Sequence, residues 1–159
     1  MKYRVRRAKG SDAPAACEAV RQSITALCVE DHRADEETLA AWLSNKTVEN
    51  FSAWFASDRH IALVAEGDTG VAGCGLLTHE GKIVLLYVSP AARFWGVRKA
   101  LLTSLEREAV AVGVRDIHLS STATAKRFYE SCGYRSCGEP EKGFGVIRSY
   151  PMSKQVATY

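Results

Sequence analysis

No uninterrupted apolar run in this chain approaches the roughly 20 residues that a bilayer span requires. The run from Ile83 to Val88 is only six residues long, so a membrane partner is not expected. The first residues are polar and alternate in character, with neither an apolar h-region nor a small-residue cleavage site, and nothing there marks the chain for export. Cysteines are few and unpaired in pattern. Cys17, Cys28, Cys74, Cys132 and Cys137 are an odd number, with no C-x-x-C pair and no histidines at zinc spacing. A metal site is therefore not expected, the thiols read as small hydrophobes, and a reducing cytoplasm is the compartment they suit. Charge of one sign is also lacking. Lys plus Arg number 21 against 18 Asp plus Glu, and a net +3 is too small to argue for nucleic acid. With no internal repeat, low-complexity tract or linker, residues 1–159 read as one domain. Such a domain buries roughly 70% of the surface its unfolded chain would expose.

What charge excess exists is local: Lys2, Arg4, Arg6, Arg7 and Lys9 crowd the start, answered by Glu30, Asp31, Asp35, Glu36 and Glu37. Tyr3 and Val5 alternate with Arg4 and Arg6, which predicts a short strand whose basic side chains face water or a partner. Ser11 and Asp12 suit the N-cap of a first helix carrying Ala16, Val20, Ile24 and Leu27 at helical spacing. A second helix begins at Asp35, Glu36 and Glu37, with Leu39, Trp42 and Leu43 as its apolar stripe. Val48, Phe51, Trp54 and Phe55 fit either a short helix or a packed loop.

The period then changes. Apolar runs at 61–65, 71–77 and 83–88, separated by glycine-containing turns, predict three antiparallel strands. Gly70, Gly73 and Gly75 precede no helix, so hairpin and bulge roles suit them better than a nucleotide loop. Val97, Leu101, Leu102, Leu105, Ala109 and Val112 trace a long amphipathic helix closed by Gly113. Ile117 and Leu119 mark another strand, Ala125, Phe128, Tyr129 and Cys132 a shorter helix, and 144–150 a last strand. Thr122 or Thr124 reads as an N-cap, since no G-x-S-x-G elbow is present to make a nucleophile of this segment.

One segment carries chemistry. Strand, proline turn, glycine and helix follow in succession through Leu86, Tyr87, Val88, Ser89, Pro90, Arg93, Phe94, Trp95, Gly96, Val97, Arg98 and Lys99. The first N–H groups of a helix lack intrahelical partners and its dipole is positive there, so a diphosphate is well matched by the amides around Gly96. Arg98 and Lys99 occupy the first turn, where the dipole disfavours cations by about 0.3–1 kcal/mol each unless an anion binds or they reach into solvent. An ordinary βα turn with two solvated basic residues fits the spacing equally well.

This stretch resembles motif A of the GCN5-related N-acetyltransferases, Gln/Arg-x-x-Gly-x-Gly/Ala on a strand-to-helix turn, with Arg93, Gly96 and Arg98 in its three fixed places. Residues 125–134, which include Ala125, Phe128, Tyr129 and Gly133, resemble the family's A-x-x-F-Y-x-x-x-G-F signature at the expected distance. The resemblance extends over most of the chain. It implies an α/β fold with a mixed, mostly antiparallel sheet of six or seven strands and about four helices. The sheet would splay between the 83–88 strand and the strand after the long helix, with acetyl-CoA wedged into the opening. Leu86, Tyr87 and Val88 would then hold the pantetheine arm, and the turn Arg93, Phe94, Trp95, Gly96, Val97, Arg98 and Lys99 the pyrophosphate. Tyr129 matches the tyrosine that protonates the departing thiolate. The resemblance further implies direct transfer to a primary amine in a ternary complex, with a small amine, an amino acid and a protein N-terminus all open as acceptor, and a possible homodimer to which Trp42, Trp54 and Phe55 would lend an apolar contact. The bare residues point the same way for Tyr129: Phe128 and Tyr129 lie about 100° apart on a helix, so both cannot centre one buried face. Phe128 is the better core residue, leaving the Tyr129 hydroxyl to seek a polar place.

Departures from the pattern leave alternatives open. Arg98 stands where Gly or Ala is usual and would either contact a phosphate directly or narrow the approach. Trp95 lies over the cofactor or packs the loop onto the sheet, packing being favoured. The glutamate that some members carry eleven residues before motif A is Lys82 here. Candidates for the base are a water chain, Glu30, Asp31, Glu66, His79 and His118, each read first as a surface residue. These departures suggest a second reading, a CoA-binding or partner-binding module that kept the fold and lost turnover, and Arg4, Arg6, Arg7 and Lys9 suggest a third, a basic-arm module binding an acidic partner.

Overall fold

Alternation of apolar residues along three consecutive strands builds two cores rather than one, on opposite faces of a sheet. The computed structural model describes residues 2–143 and 145–156. Strand β1 (Arg4–Arg7) is followed by helices α1 (Ala13–Leu27), α2 (Val29–His32), α3 (Glu36–Leu43) and α4 (Val48–Ala56). Strands β2 (His60–Gly67), β3 (Gly70–Thr78) and β4 (Ile83–Val88) lead to α5 (Val97–Ala111), β5 (Asp116–Ser121) and α6 (Lys126–Ser131). Two-residue strands β6 (Arg135–Ser136) and β7 (Glu141–Lys142) precede β8 (Arg148–Gln155). Ile61, Leu63 and Ala65 of β2 face Leu101, Leu102, Leu105 and Ala109 of α5, while Ala62 and Val64 face Ala16, Val20 and Ile24 of α1 with Trp42 and Phe51. The segment left open between helix and loop is a helix, α4, capped by the Thr47 hydroxyl accepting from the Asn50 amide at 3.1 Å. Asp35 caps α3 as its position suggests, accepting from the Thr38 amide at 3.0 Å.

Gly73 and Gly75 serve close packing, not turns. A Cβ on them would stand 3.0 and 2.8 Å from Cδ1 of Leu101 and Leu105, so their absence of side chains lets α5 lie against β3. Asp12 precedes α1, but its carboxylate accepts from the Lys9 amide at 2.7 Å and pairs with Arg6 at 2.8 Å rather than capping the helix by its side chain. The Arg6 hydrogen bond above all holds the Asp12 carboxyl below the usual range, with the Lys9 amide assisting. Arg4 pairs with Glu66 at 3.3 Å, Arg6 also with Glu66 at 3.0 Å and Arg7 with Glu108 at 2.5 Å. Arg4 and Arg7 thus stay exposed, as expected, while each also pairs with a carboxylate of the chain, and Arg6 is the enclosed member of the three.

The strands β1-β2-β3-β4 form one antiparallel sheet, and β5-β8-β6, with β7 beside β8, another. The last strand runs later than expected. It pairs with β5 from Asp116 opposite Gln155 to Ser121 opposite Tyr150, while Phe144 lies outside the described residues. Pro151 and the polar residues around it hide a strand whose one deeply buried side chain is Met152.

Among the described residues, the two sheets are bridged at one place. Lys82 and His118 form a parallel bridge, and the His118 amide donates to the Gly81 carbonyl at 3.0 Å. Gly81 has φ +98°, and a Cβ there would lie 2.6 Å from the Asp116 carbonyl oxygen. Gly81→Ala is therefore expected to cost about 2–3 kcal/mol from the strained φ and the clash together. Thermal unfolding should begin roughly 5–10 °C lower; an unchanged midpoint would show that the joint carries no constraint.

Candidate active site

Beyond the joint, β4 and β5 diverge, and the gap between them opens into a cleft of about 470 Å³. Its walls are β4, the turn into α5, the end of β5 with the loop into α6, and Ser23, Leu27 and Cys28 at the end of α1. The backbone of β4 supplies the polar lining. Ser89 donates to the Ala72 carbonyl at 2.8 Å and Tyr87 lies opposite Cys74, which fixes the phase of the ladder with β3. Alternation then turns the N–H and C=O of Leu86 and Val88 away from β3, toward the divergent edge.

The turn at 93–99 puts the open end of a 15-residue helix on the same cleft. Gly96 is the residue before the helix, with φ +72°, and a Cβ on it would meet nothing within 4 Å. Room for an anion thus lies against the first amides of α5, those of Val97, Arg98 and Lys99, all of which line the cleft. The unpaired strand edge and the open helix end together fit a ligand with a peptide-like arm and a diphosphate. Phe94, also with positive φ, is 91% exposed, with the Arg93 guanidinium 4.9 Å from its ring centroid. Trp95 is half-exposed and belongs to neither core nor cleft wall, so the expected packing of the loop by Trp95 does not occur. Its neighbour in positive φ turns the aromatic pair outward. Arg98 crosses from α5 to α6, its guanidinium carbon 4.1 Å above the Phe128 ring.

Tyr129 lines the cleft and is also core. Only 7% exposed, it packs edge-on between Phe128 and Tyr134 at centroid distances of 5.2 and 5.6 Å. This reverses the expected division of labour, because Phe128 is the partly buried member of the pair and carries Arg98 on its face. Burial pushes the Tyr129 phenol up to about 12, with the Arg98 charge opposing the rise. Among the described residues its hydroxyl has no hydrogen-bond partner. Tyr87 lies across the cleft, its hydroxyl accepting from the Trp42 indole at 3.3 Å and its phenol also pushed up, chiefly by burial. The Cys28 thiol is pushed up to about 12 by burial, with Asp31 adding to the rise. It stays protonated at neutral pH and is a poor nucleophile.

Of the candidate bases, Glu66 is engaged with Arg4 and Arg6, and His79 and His118 are exposed outside the cleft. Lys82 sits at the closed joint and Glu30 is exposed. Asp31 alone is buried beside the cleft, its carboxylate accepting from the amide and hydroxyl of Thr124, which lines the wall. Thr122 accepts from the Ala125 amide at 3.2 Å, but Ala125 is itself the residue that precedes α6 and that helix has no side-chain cap, so neither threonine caps it as expected. Trp42 is buried, and Trp54 and Phe55 are partly buried against the same core. Ser23, Leu27, Cys28 and Thr124 were not legible as site residues. The α1 residues read as an ordinary core stripe, and Thr124 as a cap.

The profile of the Acetyltransferase (GNAT) domain matches residues 28–156. A GCN5-related N-acetyltransferase of Rhodopseudomonas palustris superposes with a TM-score of 0.85 at 22% identity, over 98% of this chain and 96% of that one. A PaiA N-acetyltransferase of Thermoplasma acidophilum, solved in complex with coenzyme A, gives 0.79 at 18% identity over 98% and 99%. An acetyltransferase of Salmonella typhimurium, solved with acetyl-CoA, gives 0.75 at 20% identity over 100% and 96%. No curated protein sequence is similar enough to match. A splayed sheet, an open helix end on the splay, and a family profile over most of the chain agree: the protein belongs to the GNAT acetyltransferase family.

Proposed function

We propose that the protein is an acetyl-CoA-dependent N-acetyltransferase that moves the acetyl group directly to a primary amine. The observation that carries this reading is the juxtaposition, in one cleft, of an unpaired β4 edge, the open end of α5 and a buried, protonated phenol. Bound acetyl-CoA supplies the activated thioester. The N–H and C=O groups of Leu86 and Val88 match the amides of a pantetheine arm, and the amides of Val97, Arg98 and Lys99 match the pyrophosphate. The Val88 N–H stabilises the oxygen on which charge develops as the amine attacks. Tyr129, with its proton held tightly at neutral pH, gives it to sulfur as the C–S bond breaks. Cys28 lines the cleft, but its thiol holds its proton, which favours direct transfer over a covalent acyl-enzyme.

A module that binds CoA without turnover is the second reading, favoured by Arg98 lying across the opening onto Phe128. Two measurements separate them. Acetyl-CoA at 100 times its dissociation constant should add about 2.7 kcal/mol, or roughly 5–10 °C in the unfolding midpoint. Free-thiol release with a panel of primary amines should then be enzyme-dependent. A midpoint that does not move at millimolar ligand would remove the cofactor site, and a shift without thiol release would favour the binding module.

A further inference from the structure

Asp31 is 6% exposed, yet it belongs to a one-turn helix, α2, rather than filling a core. Its two oxygens point one way. Oδ1 accepts from the Thr124 amide at 3.1 Å and Oδ2 from the Thr124 hydroxyl. Thr124 is exposed and forms part of the cleft wall together with Cys28, Ser120, Ser121 and Tyr129. A threonine oxygen that spends its one proton on a carboxylate keeps its lone pairs for a donor arriving from the other side. That donor side is the cleft. The carboxylate behind it is the only buried Asp or Glu beside the cleft among the described residues, since Asp12 is engaged with Arg6 at the far side of α1.

We propose that Thr124 and Asp31 form a two-residue proton relay, in which the Thr124 hydroxyl takes the proton that the acceptor amine loses and passes its own to the Asp31 carboxylate. The inference rests on the transferase reading above. The step balances. A neutral amine attacks the thioester carbon, the C–N bond forms, and the nitrogen, now positive, loses one proton to Thr124 Oγ1. Thr124 in turn loses its hydroxyl proton to Asp31 Oδ2. The C–S bond breaks, and the thiolate takes one proton from the Tyr129 hydroxyl. Asp31 ends protonated and Tyr129 deprotonated, and exchange with solvent restores both. No oxidant, metal or further reactant is needed. Thr124 is the catalytic member and Asp31 acts through it. The other titratable or charged groups facing this corner are Cys28 at the end of α1, Tyr87 on β4, Tyr129 on α6 and, through its charge, Arg98 on α5. Asp31 adds to the upward push on both the Cys28 thiol and the Tyr87 phenol, after burial.

The alternative is a tether. The same hydrogen bonds pin α2 to the loop before α6, and a tether would matter to the shape of the cleft but not to protons. Asp31→Asn and Thr124→Val separate the two, with alaninamide, ethanolamine and putrescine as acceptor probes. Free-thiol release is followed from pH 6 to pH 10, and acetyl-CoA affinity is measured by calorimetry. The relay predicts that each variant lowers kcat/KM for the amine about 30-fold at pH 7. The deficit should shrink toward pH 10, where hydroxide can take the proton from nitrogen in place of the relay, while acetyl-CoA affinity stays within error. The double variant should be no worse than either single one, because one relay is broken once. Thr124→Ser should recover most of what Thr124→Val loses. A deficit that is the same at every pH, or that appears in acetyl-CoA affinity, would make Asp31 a tether and overturn the relay. A parent protein that binds acetyl-CoA yet acetylates none of these amines would overturn the transferase reading and the relay with it. A parent active on an amine with both variants equally active would overturn the relay alone.

Discussion

Replacing Gly96 by aspartate will lower acetyl-CoA affinity by about 100-fold or more, through roughly 3 kcal/mol of repulsion per phosphate charge at about 5 Å and an effective dielectric near 20. The free protein should be as stable as the parent, or slightly more so. The two effects have opposite sign because they share one cause. Gly96 precedes α5 with φ +72°, a conformation that aspartate tolerates better than most residues, and its Cβ would enter open space. A carboxylate there also suits the positive end of the helix, by about 0.3–1 kcal/mol. It would occupy the seat proposed for the pyrophosphate. Calorimetric titration with acetyl-CoA reads the first effect and thermal unfolding without ligand the second. Gly96→Asn, of the same shape without the charge, should lose far less affinity. If Asp and Asn weaken binding equally, shape rather than charge governs the turn, and the phosphate assignment is wrong.

Tyr129→Phe should reduce kcat by about 10²- to 10³-fold with little change in acetyl-CoA affinity. The ring is the packed part of this side chain, wedged between Phe128 and Tyr134, and phenylalanine keeps it. Its hydroxyl has no hydrogen-bond partner among the described residues, so the variant loses no internal bond and should unfold at nearly the parent temperature. With the phenol pushed up to about 12 by burial, the donor stays protonated from pH 6 through pH 10, and the parent's kcat should show no alkaline limb from this group in that interval. Single-turnover thiol release compared with equilibrium binding makes the separation. A kcat within three-fold of the parent would leave Tyr129 a packing residue and sulfur protonated by water.

How much of this was legible in the sequence depends on whether a residue's role is local. The hairpin strands, α5 with its closing Gly113 and the turn around Gly96 follow from period and punctuation, and they appear where the pattern puts them. The ends of β8 do not. Pro151 and the polar residues beside it carry no strand signal, and the strand exists because β5 offers a partner. The roles of Phe128 and Tyr129 were inverted for a similar reason. Helical geometry says that two adjacent residues cannot share one face, but not which face Tyr134 and Arg98 will approach. Asp31 shows the limit most clearly. It was one of several carboxylates in an acidic stretch, and its partner Thr124 lies 93 residues further along the chain. Nothing local marks such a pair, whereas the closure of β5 onto β4 at Lys82 and His118 brings the loop before α6 under α2.

That closure bears on solubility as well as chemistry. A strand edge with outward N–H and C=O groups, such as that of Leu86 and Val88, is a template onto which another polypeptide can add, and proteins usually guard such edges with charge, proline or a covering element. Here the guard is a wedge. Its walls converge on the Lys82–His118 bridge, so β4 has a neighbour on this side at its start and an open edge only toward Val88. The length of edge left for pairing is therefore set by where β5 departs, and it is a few residues, which suits a short, thin chain with well-spaced amides better than a long added strand.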